Sequence, residues 1–163
     1  MGKIYFMRHA KAEEKKDSKK DFTRELSNRG KEDLKLMAKV LKELKVGVDA
    51  VFYSEATRCE QSAKKLCEMM KFKKKPKSVK SFYNAGSEEI LEFVRSLDER
   101  LNEIFIIAHN PAITEICELL SDSVIGNIPT SGIFALEFEQ AYKEANEGCA
   151  KILFFEYPKK YKK

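Results

Sequence analysis

The chain has two histidines, and each stands where an apolar run gives out. His9 closes the run Ile4-Tyr5-Phe6-Met7-Arg8-His9, so that Arg8 directly precedes it. His109 closes Ile104-Phe105-Ile106-Ile107-Ala108-His109, and Asn110-Pro111 follows. Arg58 lies just past a third apolar run, Val51-Phe52-Tyr53-Ser54. An unperturbed imidazole titrates near ~6.5, so its free nitrogen is a good nucleophile close to neutral pH and can hold a phosphoryl group as phosphohistidine. Guanidiniums bind the oxygens of such a group in a fork that lysine cannot copy. A second imidazole donates another hydrogen bond to the same oxygens. The chemistry these residue types offer is phosphoryl transfer through nitrogen, in which each well-placed donor contributes on the order of 3 kcal/mol.

A lone histidine after a strand is by default structural. Two in equivalent places, one beside arginine, argue for a site. Arg58 taken alone is a helix-surface arginine within reach of Glu55 and Glu60, a pairing that stabilises by at most ~1 kcal/mol.

The elements that must position these residues alternate strand and helix. Strands are predicted over about Lys3 to Met7, Ala50 to Tyr53, Ser78 to Phe82 and Ile104 to Ala108. The last is apolar throughout, as for a parallel strand buried on both faces. Helices follow from stripes spaced by three and four residues. The first starts near Ser27 and carries Leu34, Met37, Ala38, Leu41 and Leu44. The second spans about Ala56 to Met70, with Cys59, Ala63, Leu66, Cys67 and Met70 inward. The third begins at an N-cap Ser87 and carries Ile90, Leu91, Val94, Leu97 and Leu101. The fourth has Asn110 as N-cap, Pro111 at its first position, and Ile113, Ile116, Cys117 and Leu120 in its stripe. Ile133 to Phe138 and Cys149 to Phe155 read as two strands joined too closely for a crossover helix, hence an antiparallel hairpin. The sum is an α/β three-layer sandwich with a mostly parallel central sheet. In such sheets ligands bind beyond the carboxyl ends of the strands, where strand order reverses. That rule gathers Arg8, His9, Arg58 and His109 on one edge, with the start of the fourth helix adding backbone N–H groups.

Composition bounds the partners. With 163 residues and 43% hydrophobic content, the whole chain, 1–163, is expected to be one domain. No apolar run approaches the ~20 residues of a membrane span. The N-terminal apolar stretch is shorter than the ~7–15-residue core of a signal peptide. Four cysteines without a CxxC pair suit a reducing cytoplasm. A net charge of +5 suits an anionic substrate or an acidic protein partner and is too scattered for nucleic acid. The lysine runs 71–77 and 159–163 read as a solvated turn and a frayed tail. No cysteine has an arginine six residues later, no GxxxxGK[ST] loop is present, and HExxH is absent, which excludes the commonest cysteine-nucleophile, P-loop and zinc-hydrolase patterns.

At this point the residues resemble the histidine phosphatase superfamily, with its phosphoglycerate-mutase-like fold, and within it the small SixA-type phosphohistidine phosphatases. Arg8-His9-Ala10 is similar to the RHG signature. Arg24-Glu25-Leu26-Ser27 with Gly30 is similar to R-x-L-[ST]-x-x-G. Ser54-Glu55-Ala56-Thr57-Arg58-Cys59-Glu60-Gln61-Ser62-Ala63 is similar to S-P-x-x-R-[AC]-x-Q-T-A, and Ala108-His109-Asn110-Pro111 to G-H-N-P. Thr130-Ser131-Gly132 resembles a small-residue segment before the last strands. The resemblance implies that His9 is the phosphorylated nucleophile and that Arg8, Arg58 and His109 hold the phosphoryl oxygens, with Asn110 among the substrate-binding residues. It implies no metal and no cofactor. The expected substrate is a phosphohistidine on a protein; a small-molecule phosphomonoester phosphatase and a weakly catalytic phosphoprotein-binding module are the alternatives.

The departures carry expectations too. Ala10 stands where the family has glycine and adds strain if that position needs φ > 0. Glu55-Ala56 replaces a proline-bearing turn. The glutamate that many relatives place after the third strand is missing: Phe82-Tyr83-Asn84-Ala85 occupies that stretch, and Glu88 and Glu89 follow, read first as partners of a helix N-terminus and second as candidate general acids. An imidazole protonated on its second nitrogen leaves phosphorus without a strong acid, so a P–N phosphatase can dispense with one. The charged loop from Lys11 to Arg24 flanks His9; it reads equally as a solvated loop and as a segment that helps read a protein partner.

Overall fold

The computed structural model describes residues 2–16 and 20–162. Part of the charged loop, residues 17–19, and the last lysine of the tail lie outside the described residues.

Among the described residues, six strands form one mixed sheet: β1 (Lys3–Arg8), β2 (Ala50–Ser54), β3 (Lys77–Val79), β4 (Glu103–Ala108), β5 (Ile133–Phe138) and β6 (Ala150–Glu156), in the order β3-β2-β4-β1-β5-β6. Neighbours among β3, β2, β4 and β1 run parallel; β5 is antiparallel to β1 and to β6, as the short connection between the last two strands predicts. Helices α1 (Asn28–Glu43) and α2 (Thr57–Met70) cover one face; α3 (Ser87–Arg95) and α4 (Ala112–Ser121) cover the other. Because successive strand side chains point to opposite faces, Ile4, Phe6, Ile104 and Ile106 pack with α3 and α4, and Tyr5, Met7, Phe105 and Ile107 with α1 and α2. Full burial of such side chains stabilises by about 1.5–3 kcal/mol each, which holds the two central strands rigidly. Cys59, Cys67 and Cys117 are buried free thiols within these cores. Among the described residues no helix is long and apolar enough to cross a membrane.

Several boundaries differ from expectation for physical reasons. The third strand is short, and Lys80–Phe82 instead turns as a 3-10 segment that delivers Phe82 to the core. Helix α3 is capped by Gly86, not Ser87, and ends at Arg95. Leu97 is still buried, because the chain after the helix folds back onto the same core. Leu44, the last residue of the first stripe, is the C-cap of α1 and is exposed. Helix α4 starts one residue later than expected, with Pro111 as its cap and the Asn110–Pro111 peptide cis.

The strand order places the site. β1 and β4 are adjacent, paired in register from Lys3↔Glu103 to Arg8↔Ala108. Their following helices, α1 and α4, pack on opposite faces. The crevice between the two carboxyl ends is the topological switch point, and His9 and His109 are the first residues beyond it on either strand.

Candidate active site

His9 is buried, and its ring centroid lies 5.3 Å from that of His109. Its Nδ1 is 2.8 Å from the Ala10 carbonyl oxygen. A carbonyl only accepts, so Nδ1 carries the hydrogen and the lone pair of the neutral ring sits on Nε2. Nε2 in turn accepts from Arg58 Nε at 3.3 Å. Ala10 is held in place by its own N–H, which donates to Ser62 Oγ at 2.9 Å, while that hydroxyl donates to the Arg58 carbonyl at 2.7 Å. One serine on α2 thus ties the loop after β1 to the turn that carries Arg58. Ala10 is not in the left-handed region, so alanine in the glycine place is unstrained there.

His109 is oriented the other way round. Its Nδ1 accepts from Arg58 Nη2 at 3.3 Å, and its Nε2 is 2.8 Å from Ser54 Oγ. Cys59 Sγ lies 3.6 Å from Nε2. Burial pushes that thiol up to about 12, so it is no nucleophile at neutral pH. Burial, reinforced by the neighbouring cations and His109, holds His9 down at about 3 against the opposing pull of the Ala10 carbonyl. Burial and then Arg58 hold His109 at about 4, against Asp21. Both imidazoles are therefore neutral near pH 7.

Arg58 is buried and spans the site: Nε faces His9, Nη2 faces His109, and the far side meets Asp21. Arg8 sends Nη1 to the Ile128 carbonyl at 3.2 Å, while its Nε is buried without a protein partner. An orphaned buried donor costs about 1–3 kcal/mol, more when charged, so Arg8 Nε is a cationic donor that the described residues leave unspent. Lys11, Ala12, Arg24, Asn110 and Thr130 complete the pocket around Arg8, His9, Arg58 and His109, and none of these residues is acidic.

The structure brings His9, His109, Arg8, Arg58 and Asn110 together. Asn110 lines the pocket, but its side chain is used internally: Nδ2 donates to Asn127 Oδ1 and to the Ile128 carbonyl, and Oδ1 accepts from Thr114. It braces the segment that receives Arg8. The first turn of α4 is also partly spent, since Ile113 N–H donates to the His109 carbonyl. Glu88 and Glu89 are exposed on the first turn of α3 and do not line the pocket.

Sequence reasoning missed Ser54, Ser62, Asp21 and Tyr83. The two serines stand inside a quoted motif and so had a signal. Asp21 and Tyr83 had none, because their meeting depends on how the loop before α1 folds over the 3-10 turn after β3. Ser27, Gly30 and Gln61 of the other motifs are scaffolding. Ser27 Oγ caps α1 by accepting from Gly30 N–H, and the Lys11 carbonyl accepts from Ser27 N–H and Oγ. A Cβ on Gly30 would lie 2.1 Å from that carbonyl, so only glycine allows the approach. Gln61 Oε1 accepts from Leu26 N–H at 2.8 Å, which fixes the same loop from α2.

Comparison with known proteins bears on the fold. Residues 4–83 match the family model of the histidine phosphatase superfamily (branch 1). An uncharacterized protein of Mycobacterium tuberculosis is 24% identical, covering 94% of this chain and 100% of the relative. The solved structure of the protein histidine phosphatase SixA complexed with tungstate superimposes with a TM-score of 0.85 at 20% identity, covering 98% of this chain and 99% of that one. A mycobacterial glucosyl-3-phosphoglycerate phosphatase superimposes with a TM-score of 0.65 at 13% identity, covering 96% and 98%. The chain thus has the α/β fold of SixA and of the phosphoglycerate-mutase-like proteins, and its N-terminal half carries the histidine phosphatase pattern.

Proposed function

We propose that this chain, with the histidine phosphatase fold and the site above, acts as one unit that removes phosphoryl groups through a phosphohistidine on His9, and that its substrate is a phosphohistidine on a protein. The observation that carries the reading is the state of His9: buried, neutral, with Nδ1–H fixed on a backbone carbonyl and the Nε2 lone pair turned to Arg58.

The steps balance without an added acid. The Nε2 lone pair forms a bond to phosphorus, and the bond from phosphorus to the substrate ring breaks. Its electron pair returns to the substrate nitrogen, and the ring, already protonated on its other nitrogen, departs as neutral imidazole. Water then attacks the phosphorus on His9, the N–P bond breaks, and its pair returns to Nε2. The proton lost by water passes to phosphate or solvent, and Nδ1–H stays on the Ala10 carbonyl throughout. Arg8, Arg58 and His109 stabilise charge on the oxygens in both steps.

Two features favour a P–N substrate. Among the described residues the pocket lining contains no carboxylic acid to protonate an alkoxide. Burial raises the nearby Asp21, but the Tyr83 hydroxyl with Arg58 and Arg24 outweighs it and holds the carboxyl at about 2, ionised and unable to donate. The test is phosphate release from a phosphohistidine-bearing protein and from an aryl phosphate. Release from the first, dependent on His9, is the expected result. Release mainly from the ester would assign a small-molecule phosphatase, and binding of either without release would assign a phosphoprotein-binding module.

A further inference from the structure

Asp21 is a carboxylate beside a site built for an anion, which calls for an explanation. Its Oδ2 accepts from Arg58 Nη2 at 3.2 Å and from the Tyr83 hydroxyl at 2.8 Å. Its Oδ1 accepts from Arg24 Nε at 3.0 Å and lies 2.9 Å from Arg24 Nη2. Its backbone carbonyl accepts from Arg58 Nη1 at 3.0 Å. Arg24 is itself anchored, through Nη1, on the Glu13 carbonyl. Oδ2 thus takes two hydrogen-bond donors, and Oδ1 takes one and is ion-paired with the same Arg24 guanidinium.

The consequence falls on Arg58. Asp21 takes Nη1 by its carbonyl and Nη2 by its carboxylate, so the guanidinium cannot turn about its own axis. What remains is the pair Nε and Nη2, directed at His9 Nε2 and His109 Nδ1. Those are the two nitrogens a phosphoryl group would lie between.

We propose that Asp21 is the positioning residue of the site: it locks the outer side of Arg58 so that Nε and Nη2 present a preformed fork to the phosphoryl oxygens. This inference rests on the phosphoryl-transfer reading of the pocket. Asp21 touches no reacting atom; Tyr83 and Arg24 serve it by holding the two carboxylate oxygens.

The sign of one effect separates positioning from simple charge. Removing a negative group next to an anion site would, by charge alone, tighten phosphate binding. Loss of positioning weakens it. The experiment measures the dissociation constant of inorganic phosphate for the full chain as wild type, Asp21→Ala, Arg58→Ala and the double variant. We expect Asp21→Ala to bind roughly 10-fold more weakly and Arg58→Ala about 10²-fold more weakly. The double variant should match Arg58→Ala within about twofold, because a brace has no effect once its arginine is gone. Tighter or unchanged binding in Asp21→Ala, or losses that simply multiply in the double variant, would overturn the proposal. Tyr83→Phe removes one brace without touching the charge, and it serves if Asp21→Ala fails to fold. It should weaken phosphate roughly threefold, and not at all in the Arg58→Ala background. Failure of the wild type to bind phosphate would overturn the phosphoryl reading itself, and this inference with it.

Discussion

The carboxyl ends of β1 and β4 are built alike and finished differently. Each delivers one imidazole to the same crevice, one residue past the end of a buried strand. At β1 the ring leans on a backbone carbonyl, which can only accept, and this fixes the hydrogen on Nδ1 of His9. At β4 the ring leans on the Ser54 hydroxyl, which can accept or donate, so His109 can change which nitrogen bears its hydrogen while keeping its bond to Ser54 and releasing Arg58 Nη2. The difference suits the two tasks we propose for these rings. A nucleophile needs one permanently bare nitrogen. A donor to an incoming anion needs a nitrogen that is bare before the anion arrives and protonated afterwards.

Replacing His9 with Ala should break the comparison most completely. Turnover is expected to vanish while circular dichroism and thermal unfolding show a folded chain. Replacing His109 or Arg58 with Ala should lower the rate by roughly 10²–10³, the usual loss for a transition-state donor. Steady-state kinetics on a substrate that turns over would check both, and a His109→Ala rate as low as that of His9→Ala would erase the proposed division of labour. Ser62→Ala removes the hydroxyl that ties Ala10 to Arg58. Leaving a buried N–H unsatisfied costs about 1–3 kcal/mol, so the variant should be less stable by that order in urea denaturation, and it should also be slower.

Finer still is the titration. Both folded-state values lie below the ~6.5 of an unfolded imidazole, at about 3 for His9 and about 4 for His109. The unfolded chain therefore binds more protons across that window, and the stability tied to these rings falls as pH drops below 6.5. Ring-proton resonances of both histidines should stay put between pH 8 and pH 5. Added phosphate should raise the midpoints of both rings and leave Nδ1–H of His9 in place. The smallest effect is expected from Glu88→Gln and Glu89→Gln, within twofold of wild type in turnover, since both side chains lie on an exposed helix turn outside the pocket.

The same contrast marks how far the sequence could be read. Both strand ends were legible, because an apolar run that stops at a histidine states where the side chain emerges, and parallel pairing brings β1 and β4 side by side. The helical stripes were legible wherever one face is buried, and failed at Leu44 and Leu101, beyond the last residue of their helices. That His9, His109, Arg8 and Arg58 belong to one cluster was legible from residue type and motif. Ser54 and Ser62 lay inside a motif without an assigned task, since a hydroxyl's role depends on what it faces. Asp21 and Tyr83 were illegible. One sits in a loop of mixed charge and the other just past a 3-10 turn, 62 residues away, and only the folded chain brings them within 2.8 Å.

The most direct test of the account is to trap the phosphorylated chain. A phosphoryl donor is mixed with the protein, the reaction is stopped in alkali where phosphohistidine survives, and the modified peptide is mapped. The account predicts a single phosphoryl group on His9, formed also by His109→Ala at a reduced rate and absent from His9→Ala. A phosphoryl group on any other residue, or sustained turnover by His9→Ala, would contradict it.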